Sequence, residues 1–453
     1  MFRSSDRCFP FEIPICFKLV KGDKVLSNIH SICDLQLHYV ITFSGRLDQA
    51  RLSKSVRLSL DAEPVLGCRL VKNRWHQCWQ RRDDLNELEL CRLTKTDCPQ
   101  EALISYMAAP SDPYEDPMIQ AHIFRSDTDI LCIKANHIVS DAGGLKEYVR
   151  LLASIYRNIG SDPKFKPQMN LLGRRSCKQV TELFSLFDKL KILRLSLVNW
   201  LDNLYPNKNW HFPFLQVQPT TDRSFFIRRI PTDQFQQIKQ FAVHHSFTIN
   251  DILTACIFRA LYKIIQPDSD TPLRLGVTVN LRRYILGGQG EALANLSKMF
   301  LLNIGCHIGD TLQETISLVH DHMKIHKENY IGLDINKNSI FSVQWLPVPL
   351  AHIFHNFILR LNRFIGPKNI PPWFTNMGLL DRKDMEFGEI KTTDVFMTAP
   401  IVYAPFLAIG ATGFSNSITI SIGFCKTSHD GEKITNLLDT IEKEIRVFSE
   451  LLQ

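Results

Sequence analysis

His137 and Asp141 lie four residues apart in the stretch DILCIKANHIVSDAGGLKEY, residues 129 to 148. A neutral imidazole near pKa 6.5 can take a proton from a hydroxyl or amine at pH 7 and return it to a leaving group. A carboxylate in the same loop can orient that ring or cap the helix that follows. General-base catalysis is the chemistry on offer. The spacing alone is common in a chain with 15 histidines, where a loop histidine beside a capping aspartate is the ordinary explanation.

The flanking elements decide how such a pair is held. Asp129 to Ala135 clusters Ile130, Leu131, Cys132 and Ile133, as a buried strand does. From Gly144 onward, Leu145, Tyr148, Val149, Leu152, Ile155 and Tyr156 recur at helical steps. His137 therefore follows a strand and Asp141 precedes a helix. Gly143 and Gly144 permit close backbone approach at the junction.

Around this centre the chain, at 453 residues, is long enough for two domains. A 45% hydrophobic and 22% charged composition is that of a globular protein. The net charge of +7 suits an anionic ligand such as the phosphates of coenzyme A, or an acidic membrane surface. No basic run dense enough for a nucleic-acid arm is present, so no nucleic-acid partner is expected. The 12 cysteines are scattered, with no C-x-x-C and no zinc spacing, which fits free thiols in a reducing cytosol. FEIPICF near the start is too short and acidic for a signal peptide, and no apolar run reaches a transmembrane span.

The coarse order is strand, helix, strands, strand, helix over residues 1–165, an α+β or α/β pattern. HYVITFSGRL reads as a strand, the segment after it as a helix ending at Pro64, then VLGCRLV and RWHQCWQ as a hairpin. ALISYMAA reads as a further strand. Residues 166–222 form a proline-bracketed connection around the basic, apolar helix TELFSLFDKLKILRLSLVNWLDNLY. Its apolar face is expected to pack within the protein, with membrane contact the secondary reading. A second domain, 223–453, starts again with SFFIRRI and a helix from Thr232. It continues through the very apolar helix SFTINDILTACIFRALYKII, the strand LRLGVTVNLRRY and a second basic-apolar stretch at 350 to 365. A hairpin through Gly413 to Asn416 and a terminal helix from about Asp430 close it.

FSGRLDQARLSKSV, EPVLGCRL, NHIVSDAGG, HSFTINDILTA, VTVNLRR and FTNMGLL, in this order, resemble the chloramphenicol-acetyltransferase-like superfamily. It includes the condensation domains of peptide synthetases, alcohol O-acyltransferases and polyketide-associated acyltransferases. The resemblance runs from about residue 38 to the C-terminus. It implies two similar mixed-sheet domains with flanking helices and a tunnel between them, entered by an acyl thioester from one face and an acceptor from the other. His137 matches the catalytic histidine, and Asp141 an aspartate that pairs structurally with an arginine, here Arg282. Thr375, Asn376 and Gly378 match a tunnel-lining segment. Many members carry two successive histidines where this chain has Asn136 before His137, which mildly favours an O-acyltransferase over an amide-forming condensation domain. Ala142 stands where glycine is usual, and the DFGWG of plant alcohol acyltransferases is missing.

The function expected is acyl transfer to a hydroxyl, with an amine acceptor or a non-catalytic binding domain of the same fold as alternatives. A membrane-surface lipid acyltransferase using the segments near 180–200 and 350–365 is a third reading. No cofactor is expected to be permanently bound; acyl-CoA or a phosphopantetheine thioester on a separate carrier protein would be co-substrate. A monomer is expected. No G-x-S-x-G elbow or equivalent cysteine appears, so transfer should be direct. Asn136, Thr375, Asn376 or a backbone N–H beside Gly143 could serve an oxyanion. His244-His245 lacks an aspartate at the needed position, where Ile249 stands. His322 and His326 have metal spacing without the glutamate of H-E-x-x-H and read as a solvated face. His352 and His355 read as packing residues, and GGQG at 287–290 as a flexible loop.

Overall fold

The computed structural model describes residues 12–72, 77–202, 209–216, 220–333 and 370–448. The expected stretch at 350–365, with His352 and His355, lies outside them. In chain order the elements begin β1 (Cys16–Lys18), α1 (Lys21–Ser27), β2 (Gln36–Phe43), α2 (Gln49–Ala62), β3 (Cys68–Lys72), β4 (Gln77–Arg81) and β5 (Cys91–Lys95). There follow α3 (Pro99–Ala108), β6 (Ile119–Arg125), β7 (Asp129–Asn136), α4 (Ala142–Ser161), α5 (Lys178–Thr181) and α6 (Leu186–Asp202). The second half holds β8 (Arg223–Ile230), α7 (Thr232–His244), α8 (Ile249–Ile265), β9 (Arg274–Asn280), β10 (Ser297–Asn303) and α9 (Leu312–Glu328). It ends with β11 (Trp373–Leu380), β12 (Thr392–Thr398), β13 (Ala408–Phe414), β14 (Ser417–Cys425) and α10 (Gly431–Arg446).

Two mixed sheets carry the fold. One has five strands in the order β12-β2-β7-β6-β5, the other six in the order β10-β9-β11-β13-β14-β8. Pairing is antiparallel except between β5 and β6 and between β11 and its neighbours β9 and β13. β1, β4 and β3 form a small third sheet. The first sheet thus draws an edge strand, β12, from residues far beyond 223, with Thr398 opposite His38. α2 and α4 cover the first sheet through Leu52, Val56, Leu60, Leu145, Val149 and Leu152, all buried. The largely apolar α8 lies inside the second half, started by a capping box in which Thr248 and Asp251 satisfy each other's backbone N–H groups. An apolar seam joins the two sheets. It sets Val40, Phe124, Cys132 and Phe396 against Phe225 and Cys425.

Two expectations are corrected. ALISYMAA is not a strand but most of α3: Pro99 at the helix start is compatible with a first turn, and Leu103 and Met107, four apart, are its buried residues. The helix inside 181–205, expected to pack its apolar face within the protein, turns part of it outward in its first turns: Leu186, Phe187 and Leu190 are exposed, while Ile192 and Leu195 are partly buried.

Candidate functional site

β7 ends at Asn136, and its last rung sets the loop. The His137 N–H donates to the Leu35 carbonyl at 2.7 Å, so the histidine backbone is held to the residue that leads into β2. Asn136 accepts from the Ile138 N–H through Oδ1 at 3.0 Å, turning the chain. The half-buried His137 ring places Nδ1 3.0 Å from the Ser140 carbonyl oxygen. A carbonyl can only accept, so this bond requires the proton on Nδ1 and leaves the Nε2 lone pair basic.

Asp141 points elsewhere. Its Oδ1 accepts from the Gly144 N–H at 2.8 Å, capping α4, and its Oδ2 from the Leu296 N–H at 2.7 Å. Arg282 Nη1 reaches Oδ1 at 2.9 Å and Oδ2 at 3.1 Å. Burial pushes the Asp141 carboxyl up, but the Arg282 guanidinium and the Gly144 N–H outweigh it and hold it below the usual carboxylate range. Arg282 is itself buried. It also donates from Nε to Glu147 Oε1 at 2.8 Å and from Nη2 to the Ala294 carbonyl at 3.0 Å. Burial lowers its pKa, and the Asp141 and Glu147 charges more than reverse that.

Glu147 is the site residue that sequence reasoning missed. One face of α4 is apolar and the other reads as solvated, so a glutamate there looks ordinary. Its Oε1 also accepts from the Gly290 N–H at 2.8 Å, so the end of the glycine loop is tied to the same cluster. Burial raises its pKa even beside Arg282. The available signal is arithmetic: a buried arginine has more donors than one capping carboxylate can satisfy.

The glycines of the motif are required by proximity. A Cβ on Gly143 would lie 2.6 Å from Arg282 Nη1 and 2.9 Å from Asn280 Nδ2, and one on Gly144 3.1 Å from the Ala294 carbonyl oxygen. Gly143→Ala should therefore displace the guanidinium and destabilise the protein by about 1–3 kcal/mol. Ala142→Gly, which adds no atoms beside the guanidinium, should cost under about 1 kcal/mol. Urea unfolding of both variants checks the contrast.

β11 contributes from the second half. It bulges between Asn376 and Leu379, with Gly378 at φ +77°, a conformation that favours glycine. Lys146 of α4 donates from Nζ to the Met377 carbonyl and, at 3.2 Å, to that of Leu379. Burial brings the Lys146 ammonium down to about 8 despite the Asp384 carboxylate. Thr375 shares a hydrogen bond with Thr278 at 2.7 Å, and Asn376 Nδ2 donates to Asn250 Oδ1 at 3.0 Å. Asn376 Oδ1 accepts from the Gly378 N–H at 2.9 Å. The structure thus gathers Asn136, His137, Asp141, Gly143 and Arg282 on one loop and its clasp. Thr375 and Asn376 hold to second-half neighbours, and Gly378 lies beside α4.

Asn136 Nδ2 is buried and has no protein hydrogen-bond partner among the described residues. Among those residues no group of histidines, cysteines and carboxylates could hold a metal ion. His322 is half-buried rather than solvated, and the His326 ring packs 4.7 Å from that of Phe300.

No family model matches the sequence, and no curated protein matches it. Solved structures do. The first condensation domain of the CDA synthetase superposes with a TM-score of 0.71 at 12% identity, covering 97% of each chain. TRI3 trichothecene 15-O-acetyltransferase from Fusarium sporotrichioides gives 0.68 at 13%, over 96% of this chain and 95% of that one. The chain has the chloramphenicol-acetyltransferase-like fold. Polyketide synthase associated protein 5 from Mycobacterium tuberculosis shares this fold, at a TM-score of 0.63 and 14% identity over 96% of this chain and 98% of that one. At such identities the likeness is one of fold.

Proposed function

We propose that this chain is an acyltransferase that moves an acyl group from a thioester directly to a hydroxyl acceptor, with His137 as general base. The observation that carries it is the His137 Nδ1 bond to the Ser140 carbonyl at 3.0 Å, which leaves Nε2 as the base. The acceptor O–H gives its proton to Nε2 while its oxygen bonds the thioester carbonyl carbon. The tetrahedral oxyanion then collapses, the C–S bond breaks, and the imidazolium returns the proton to the departing thiolate. Throughout, the Ser140 carbonyl faces the Nδ1–H of the cation and stabilises it. Asp141, Arg282 and Glu147 act as positioning residues that hold the loop. Asn136 Nδ2, buried one residue from the histidine, is the favoured oxyanion donor.

The fold shared with an O-acetyltransferase and condensation domains supports this reading, as does a net charge of +7 for phosphate-bearing donors. The donor is acyl-CoA or a phosphopantetheine thioester on a carrier protein. Incubating the full chain with acyl-CoAs of graded length and a set of alcohols and amines tests it. Hydroxyl-dependent thiol release with an ester product is the expected result. Amide products alone would assign a condensation activity instead. No transfer from acyl-CoA or from an acyl-phosphopantetheine carrier protein would leave a binding domain.

A further inference from the structure

The first turns of α6 present an apolar face to solvent. Leu186, Phe187, Leu190 and Leu193 are 81%, 77%, 66% and 46% exposed, and Leu183 in the preceding turn is 58% exposed. At about 100° per residue these helical positions fill an arc roughly 120° wide. The opposite side faces the protein: Asp188, Ile192 and Leu195 are partly buried and Ser196 is buried. That inner side is anchored. Phe184 packs edge-on against Tyr284 and Tyr330 at 5.3 and 5.6 Å, and the Tyr330 hydroxyl donates to Asp188 Oδ1 at 2.5 Å.

Charge borders the apolar arc. Lys189 lies on one edge, Lys191 on the other and Arg194 within it, all exposed. Lys191 also leans over the Tyr330 ring, 5.4 Å from its centroid. Asp188, the carboxylate among residues 186–194, is taken up on the inner side. Among the described residues no helix is long and apolar enough to cross a membrane, so this helix is suited to lie on a surface, not to span one.

We propose that α6 docks the protein on an anionic phospholipid surface, with Phe187, Leu190 and Leu186 entering the acyl boundary and Lys189, Lys191 and Arg194 meeting the headgroup phosphates. Charge complementarity selects this occupant: an apolar stripe with lysines on both margins matches a negatively charged interface. The inference is independent of the acyl-transfer reading, since it uses neither His137 nor its clasp.

Flotation of the full chain with phosphatidylcholine vesicles, with and without phosphatidylserine, tests it. Two variants accompany the wild type, Phe187→Ser/Leu190→Ser and Lys189→Glu/Lys191→Glu/Arg194→Glu, with melting temperatures taken without vesicles. The wild type should float with phosphatidylserine vesicles and be released by salt. Both variants should lose at least about tenfold in partitioning with unchanged melting temperatures. Wild type that stays in solution, or variants that float equally, overturns the proposal. A clear fall in the melting temperature of the serine variant would show the face covered by the protein's own chain, and also overturns it. So would a wild-type dimer that the serine variant dissociates, which would assign the face to a second copy.

Discussion

His137→Ala is expected to reduce thiol release from acyl-CoA in the presence of an alcohol by at least ~10²-fold while the melting temperature stays near that of the wild type. The two halves of this result follow from one geometry. The ring is half-buried and its described side-chain hydrogen bond is the one to the Ser140 carbonyl, so its removal costs the fold on the order of 1 kcal/mol or less. The loop itself stays in place, because the backbone bond to Leu35 and the Asp141–Arg282 clasp do not involve the imidazole. Transfer undiminished in a folded His137→Ala protein would end the general-base proposal. A variant that loses activity and also melts far below the wild type would place the histidine among the structural residues instead.

Asp141→Ala and Arg282→Ala should behave in the opposite way, each losing roughly 3–5 kcal/mol of stability. Their side chains are 2% and 3% exposed and 2.9 Å apart, so removing either leaves a charge with no water to solvate it. The two losses differ in kind. Without Asp141, Arg282 keeps Glu147, but the Gly144 and Leu296 N–H groups lose their acceptor. Without Arg282, Asp141 and Glu147 face each other with no cation between them, so this variant should be the worse. The double variant should lose less than the sum of the singles, since it removes both members of the pair. Urea unfolding of the three proteins gives the comparison. If Asp141→Ala unfolds like the wild type and only activity falls, the aspartate acts on the imidazole and the clasp description is wrong.

Local chemistry, and with it most of the secondary structure, was legible before any tertiary information. The apolar run of β7, the helical spacing from Leu145 to Tyr156 and the capping position of Asp141 are encoded within twenty residues, where side-chain period and cap preference act directly. The resemblance named Arg282 as the partner of Asp141, which no spacing argument could, because the two are 141 residues apart. Tertiary structure decided what depends on distant chain segments. β12 joins the first sheet beside β2 because backbone N–H and C=O groups at a sheet edge accept any strand of suitable register, which composition does not mark. Glu147 is half-buried by an arginine and a glycine loop that arrive from the other half, so an apparently solvated helix face becomes part of the clasp. ALISYMAA is apolar on nearly every side, and a short apolar run does not declare its own period; packing of Leu103 and Met107 made it a helix. The periodicity of α6 announced an amphipathic helix but not which side would meet the protein. Phe184, Asp188 and Tyr330 settled that, and left Leu186, Phe187, Leu190 and Leu193 facing outward.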